Sequence, residues 1–352
     1  ALPLIIGLGD STMKSAMAKA FIAAAILLGA GGVCAQSAIE QLVEQTGVKA
    51  ADVALRDLPG WREPRKIVVR DIGLTLDEMQ RVLPGVEIVI VQSQAEATAR
   101  AAGADAVIGY CGAALMAAAG DAIWVQVFSA GVERCMSNER IADESVVLTN
   151  MQKMASPVIA EHVTAMILSL ARGLPQYSKG MAEGDWLDES PIAYGMQSIA
   201  GKTVLVAGLG GIGTEVARRA AALGMRVVGT RRSSREGPDF VEYVGLSDEL
   251  FELARGADFI VNALPLTSET TGLFDAAFFA AARHGAHFIN VGRGRSVVTA
   301  DLVAALESGQ IAGAALDVTE PEPLPSDHAL WQMDNVIITP HVASNGGNRI
   351  RH

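Results

Sequence analysis

Val204-Leu205-Val206-Ala207-Gly208-Leu209-Gly210-Gly211-Ile212-Gly213 is the stretch on which the reading of the fold turns. Four apolar residues, two of them β-branched, predict a buried strand. The glycine run predicts a tight turn, and the Ala- and Arg-rich residues 214–223 predict a helix. In that setting each glycine has a task. Gly208 permits the turn, Gly210 lets the backbone approach a pyrophosphate, and Gly213 lets helix and strand pack closely, with the helix N-terminus facing the phosphates. The G-x-G-x-x-G spacing alone is a weak signal. The strand–turn–helix order around it favours a dinucleotide-binding βαβ unit over an ordinary glycine turn.

The same alternation extends both ways. Downstream, residues 226–229, 259–262, 287–291, 312–316 and 336–339 read as strands. Upstream, residues 66–70, 86–91, 104–108, 123–127 and 146–148 do so, with helical stretches at 76–82 and 96–102. Residues 156–172 predict one long apolar helix between the two sets, with Ser156 as N-cap and Pro157 in its first turn. Residues 36–63 read as an N-terminal extension with an amphipathic helix and a linker around Pro59-Gly60. Strands separated by helices make parallel sheets. The expected architecture is α/β: one Rossmann-like domain over 64–150 and a second, dinucleotide-binding one over 151–340.

Composition narrows the function classes. The chain has 352 residues, half of them apolar and 19% charged, which excludes a disordered chain. A formal net charge of −11 argues against nucleic acid as a partner. Cys34, Cys111 and Cys135 form no C-x-x-C pair, so neither a disulfide framework nor a thiolate zinc site is expected. Lys14 and Lys19, the apolar run 21–28 and the small residues 31–35 follow the order of a secretory leader cleaved before Gln36. An uncleaved N-terminal extension fits these residues equally well, so location stays open between cytoplasm and export; residues before Met13 are set aside. The apolar run is too short to span a bilayer, and no membrane association is expected.

An NAD-binding chain carries Asp or Glu at the end of the strand after the glycine turn. Here that position gives Thr230-Arg231-Arg232-Ser233-Ser234-Arg235. Guanidinium groups suit a 2′-phosphate, so NADP(H) is the expected cofactor and NAD(H) the alternative; the plainer reading is a solvated basic loop.

Three later segments end strands: Asn290-Val291-Gly292-Arg293-Gly294, Leu316-Asp317-Val318-Thr319-Glu320-Pro321-Glu322-Pro323 and Thr339-Pro340-His341-Val342-Ala343-Ser344. With the glycine turn, their order and spacing resemble the D-isomer-specific 2-hydroxyacid dehydrogenase family, most closely its glyoxylate/hydroxypyruvate reductase branch. The resemblance implies two domains around a cleft, with the dinucleotide-binding domain inserted into a flavodoxin-like substrate domain. It also implies NADPH-dependent reduction of small 2-keto acids. Arg293 would clamp the substrate carboxylate, His341 would donate the proton, and Glu322 would partner His341. Gly208, Leu209, Gly210, Gly211, Ile212, Gly213, Arg231, Arg232 and Ser233 would hold the cofactor. So would Leu264, Pro265, Thr270, Val291 and, on the nicotinamide side, Asp317. A lone histidine at a strand end is more often structural, but three such residues in matching positions are hard to explain separately.

The resemblance also places Tyr110, Cys111 and Gly112 in a loop whose backbone amides hold the substrate carboxylate, and Ser129-Ala130-Gly131-Val132 in a second turn. It implies a homodimer through residues 176–194. The family's long returning helix has no counterpart after Ser344, so residues 341–352 are expected to form a truncated return. No metal is expected. Two competing readings are a dehydrogenase of a bulkier D-2-hydroxy acid and a dinucleotide-sensing binding protein.

Overall fold

The computed structural model describes residues 53–58, 60–187 and 195–346. The leader, the helix expected from Gln36, the end of the 176–194 stretch and the residues after 346 lie outside the described residues. The chain divides into two compact units, with the change between Met154 and Ala155.

The first unit carries a five-stranded parallel sheet of β1 (Lys66–Arg70), β2 (Glu87–Val91), β3 (Ala106–Ile108), β4 (Trp124–Val127) and β5 (Val147–Asn150), in the order β2-β1-β3-β4-β5. Its helices are α1 (Leu76–Val82), α2 (Gln94–Arg100), α3 (Ala113–Ala118), α4 (Glu133–Met136) and α5 (Glu139–Ala142). The order reverses between β1 and β3, the point where such sheets open a crevice at their carboxyl ends. Helix α1 starts where Thr75 and Glu78 form a reciprocal capping box. Asp105 fixes the start of β1, accepting from the amides of Arg65 (2.8 Å) and Lys66 (3.1 Å) and from the Arg62 guanidinium. Cys111 and Cys135 are joined by a disulfide, which corrects the expectation that the cysteines form no disulfide framework. They are 24 residues apart in sequence, and no local spacing announces that the turn after β3 and helix α4 meet in one core.

The second unit begins with the long helix α6 (Ser156–Ala171) and α7 (Leu174–Glu183). Ser156 is not the N-cap: it is buried inside the first turn, Ala155 occupies the cap with no side-chain bond, and Pro157 supplies the pre-set φ. A seven-stranded parallel sheet follows: β6 (Thr203–Ala207), β7 (Arg226–Arg231), β8 (Tyr243–Leu246), β9 (Phe259–Asn262), β10 (Ala286–Asn290), β11 (Ile311–Leu316) and β12 (Val336–Ile338). Helices α8 (Gly211–Ala222), α9 (Leu250–Ala254), α10 (Ala276–Ala281) and α11 (Thr299–Glu307) connect them. The order β12-β11-β10-β9-β6-β7-β8 is the doubly wound arrangement, reversing between β6 and β9. Helices on both faces leave β9 and β10 buried at every position, which is why they are mostly apolar, with Asn262, His287 and Asn290 as buried exceptions. Phe274, Phe278, Phe279 and Phe288 fill one side in edge-on contacts, while α6 and α8 cover the other.

Candidate active site

The glycine turn sits at the reversal point of the second sheet, between β6 and α8. Gly208 has φ +94°, which a side chain would resist. A Cβ on Gly213 would lie 2.0 Å from the carbonyl oxygen of Gly208, so helix and strand approach as closely as the pattern implied. Gly210 has nothing within 4 Å of its missing Cβ; its backbone faces open space. Thr230 secures the turn. Its carbonyl accepts from Leu209 N at 2.8 Å and its hydroxyl from Gly208 N at 3.2 Å. Gly229 makes room for the Leu209 side chain.

Arg231 ends β7, half-buried, and its Nε is buried without a hydrogen-bond partner among the described residues. An orphaned guanidinium nitrogen beside an open glycine backbone is what an anionic ligand would satisfy, so these residues fit a dinucleotide phosphate. Arg232 and Ser233 are exposed beside it, and Arg232 places its charge near Glu269. Arg235 does not join them. It pairs with Glu249 at 2.7 Å and donates to Tyr243 at 2.7 Å. The Tyr243 hydroxyl donates to Glu249, and this bond, the Leu246 amide and then Arg235 draw the Glu249 carboxyl down to about 2.

Across the reversal point, Leu264 N donates to Asn262 Oδ1, and Leu264 packs against Gly208. The Thr270 hydroxyl donates to Pro265 O at 2.6 Å and accepts from Thr267 N at 2.8 Å, closing the Pro265–Thr270 loop on itself. Val291 is 6% exposed and packs into the core, so any contact it offers a cofactor is through its backbone.

Arg293 caps a short 3₁₀ turn, Gly294–Ser296, after β10. Its place is fixed from below by residues that sequence reasoning did not single out. Asn262 Nδ2 donates to Asn290 Oδ1 (2.9 Å) and Ser296 Oγ (2.7 Å), while Asn290 Nδ2 (3.1 Å) and Ser296 Oγ (2.6 Å) both donate to Arg293 O. All three are 0–1% exposed, and a buried amide pair survives only when its partners are met. A Cβ on Gly294 would stand 1.8 Å from Thr319 O, so this turn needs glycine for space alone.

His341 Nδ1 lies 2.7 Å from Glu322 Oε1, and both side chains are partly exposed. A carboxylate can only accept, so Nδ1 carries hydrogen and Nε2 is left to exchange a proton with a ligand. The backbone of His341 has φ +55°, rare for a residue with a side chain. Asp317 is 3% exposed; its Oδ1 accepts from the Thr339 hydroxyl and from Val342 N and Ala343 N, and Oδ2 also accepts from Ala343 N. Most of its hydrogen-bonding capacity is thus spent on the loop that carries His341.

In the first unit, Tyr110 donates to Gln92 O at 3.2 Å and stacks under the Arg70 guanidinium at 5.7 Å. Gly112 caps α3 and packs on Gln94. Cys111 is 9% exposed and bonded to Cys135, which ties this loop to the segment after Ser129–Val132. Arg70, at the end of β1 beside the loop, is a cation at the reversal point of this sheet that the sequence reading passed over.

Comparison with known proteins bears on the family and the fold. Residues 164–343 match the family model described as D-isomer specific 2-hydroxyacid dehydrogenase, NAD binding domain. The chain is 36% identical over 224 residues to the glyoxylate reductase/hydroxypyruvate reductase of Mus musculus, covering 62% of this chain and 67% of that protein. It resembles the solved NADPH-dependent glyoxylate/hydroxypyruvate reductase of Sinorhizobium meliloti, in complex with NADP and sulfate, at a TM-score of 0.67 and 31% identity over 81% of this chain and 90% of that one. A D-isomer specific 2-hydroxyacid dehydrogenase from Xanthobacter autotrophicus, in complex with NADPH and MES, matches at a TM-score of 0.67 and 30% identity over 81% and 90%. With two parallel α/β sheets, a dinucleotide turn and these matches in hand, the chain belongs to the D-isomer specific 2-hydroxyacid dehydrogenases, NAD(P)-dependent oxidoreductases acting on CH–OH groups.

Proposed function

We propose that this protein reduces small 2-keto acids, glyoxylate and hydroxypyruvate among them, to 2-hydroxy acids at the expense of NADPH. The observation that carries the reading is the His341–Glu322 pair, 2.7 Å apart, on a loop at the carboxyl end of the dinucleotide-binding sheet. Reduction of a keto group needs hydride at carbon and a proton at oxygen. A bound nicotinamide dinucleotide supplies the hydride. His341 supplies the proton from Nε2, and Glu322 orients the ring by accepting from Nδ1. Arg293 offers the planar fork that matches a carboxylate.

The choice of NADPH rests on Arg231, whose unpartnered Nε suits the 2′-phosphate, with Arg232 and Ser233 beside it. A spectrophotometric panel of 2-keto acids with NADPH and with NADH tests both points. Turnover of glyoxylate or hydroxypyruvate with a preference for NADPH is expected. Tight cofactor binding without turnover of any 2-keto acid would overturn the enzymatic reading.

The stretch from α7 onward is the proposed dimer surface. Leu174, Met181 and Trp186 are 47%, 79% and 90% exposed, large apolar groups that a second subunit would cover. Light scattering at micromolar concentration is expected to give a dimer, and a monomer would overturn the assignment.

A further inference from the structure

His341 sits in the left-handed region at φ +55°, and such backbone, costing on the order of 1–3 kcal/mol, persists only where surrounding contacts enforce it. The contacts here run through one carboxylate. The main-chain oxygen of Asp317 accepts from His341 N at 2.8 Å. Its side chain accepts from Val342 N (2.9 Å), from Ala343 N (3.1 and 3.0 Å) and from Thr339 Oγ1 (2.6 Å). The residues on either side of the left-handed turn are therefore pinned to the same aspartate.

The pinning does not stop there. Thr339 Oγ1 also lies 3.0 Å from Nε2 of His162, a residue on helix α6 that is 177 positions away. The hydroxyl has one hydrogen, and the carboxylate of Asp317 can only accept it. Thr339 must therefore receive a hydrogen bond from His162, which fixes the proton on Nε2. The line reads Nε2–H to Oγ1–H to Oδ1. His162 Nε2 also stands 3.8 Å from Asp317 Oδ1, within range of a charge attraction when the ring is protonated. The long helix is in this way tied to the loop of the proton donor by two side chains, neither of which touches Glu322 or the open Nε2 of His341.

We propose that His162 and Thr339 are positioning residues for the reaction: through Asp317 they hold His341 in the left-handed turn that aims its ring at Glu322. This rests on the reading of His341 as proton donor given above. Removing the Thr339 hydroxyl leaves Asp317 Oδ1 and His162 Nε2 each short of a partner and lets the loop relax. Displacement of a reacting group by about 1 Å can cost up to 10²-fold in rate.

The test compares Thr339→Val, Thr339→Ser, His162→Leu and His162→Gln with the wild-type protein. Thr339→Val and His162→Leu are expected to lower kcat by roughly 10–10²-fold with the dissociation constant for NADPH unchanged. Thr339→Ser and His162→Gln, which keep a hydroxyl and an N–H donor, should recover most of the rate. A second readout needs no turnover: amide hydrogen exchange at Val342 and Ala343 should accelerate in Thr339→Val and stay near wild type in Thr339→Ser. Wild-type kcat in Thr339→Val with unchanged exchange overturns the proposal. So does a loss that Thr339→Ser shares equally with Thr339→Val. If the wild-type protein turns over no 2-keto acid while exchange responds as expected, the fault lies with the reading of the reaction and not with the positioning line.

Discussion

His341, Glu322, Arg293 and Arg231 are single side chains whose chemistry can be addressed one at a time. His341→Ala removes the proposed proton donor but nothing that touches the glycine turn. It is expected to lower kcat by on the order of 10²–10⁴-fold while leaving NADPH affinity nearly intact, measured by steady-state kinetics beside cofactor titration. A variant keeping most of its rate at neutral pH would sink the assignment. Arg231→Asp puts a carboxylate where a 2′-phosphate would bind. Losing one charged hydrogen bond costs about 1.5–3 kcal/mol, so kcat/KM for NADPH should fall by roughly one to two decades. NADH use should be equal or improved, and unchanged selectivity would reduce the arginine loop to a solvated charge run. At this scale the sequence offered candidates most readily at strand ends, where Arg, Glu and His stand out from their apolar surroundings. It gave no site role to Asn262, Asn290, Ser296, Thr339 or His162. Their value lies in partners that are distant along the chain, and a lone buried Asn or Ser carries no periodic signal. Arg235 shows the converse: a basic residue in the expected loop is claimed by Glu249, a residue of the neighbouring turn.

Elements are held by choices that composition does not display. The 3₁₀ turn bearing Arg293 can tolerate no side chain at Gly294, where a methyl would meet Thr319 O. Gly294→Ala is therefore expected to depress kcat/KM more than tenfold, and thermal unfolding should show destabilisation of roughly 1–3 kcal/mol; wild-type behaviour in both would mean that the 319–320 loop moves aside freely. Strand β10 carries a second liability. His287 is 6% exposed and stacks on Phe259 at 5.0 Å; burial pushes its imidazole down to about 4 from 6.5, against the pull of Asp258, while Lys202 reinforces the drop. The unfolded chain binds this proton as pH falls through 6.5 and the folded chain only near 4. Stability present above pH 6.5 is consequently lost between those values, by at most about 3 kcal/mol. Urea midpoints at pH 7.5 and 5 should show the loss, and His287→Phe should flatten it; an equal slope in the variant would place the titrating group elsewhere. Strands with unbroken apolar runs were read from the sequence within a residue or two. Strand β8 was not, because Tyr243-Val244-Gly245-Leu246 is four residues at a sheet edge with no contrast to its surroundings. Helix α7 was missed because it opens on Gly173 and Pro175, which read as breakers.

The whole molecule is two α/β units, and the alternation of strands and helices was enough to see both. What the alternation could not show is a covalent link in the first of them. Cys111–Cys135 encloses α3 and β4, and a crosslink closing a loop of this size is worth about 3 kcal/mol when the unfolded chain is the state it restrains. Replacing both cysteines with Ser should lower the unfolding midpoint of the first unit by roughly 12–24 °C, with the second unit's transition unmoved. Scanning calorimetry resolves the two, and coincident midpoints for wild type and variant would refute the stabilising role. The link also changes how much chain the molecule can pay out. Pulled from its ends in a force-spectroscopy experiment, the oxidised protein conceals the segment between the two sulfurs. Reduction should lengthen the first unit's extension step by ~80 Å, 24 residues at ~3.4 Å each. The same molecule would thus report its own thiol state as a length.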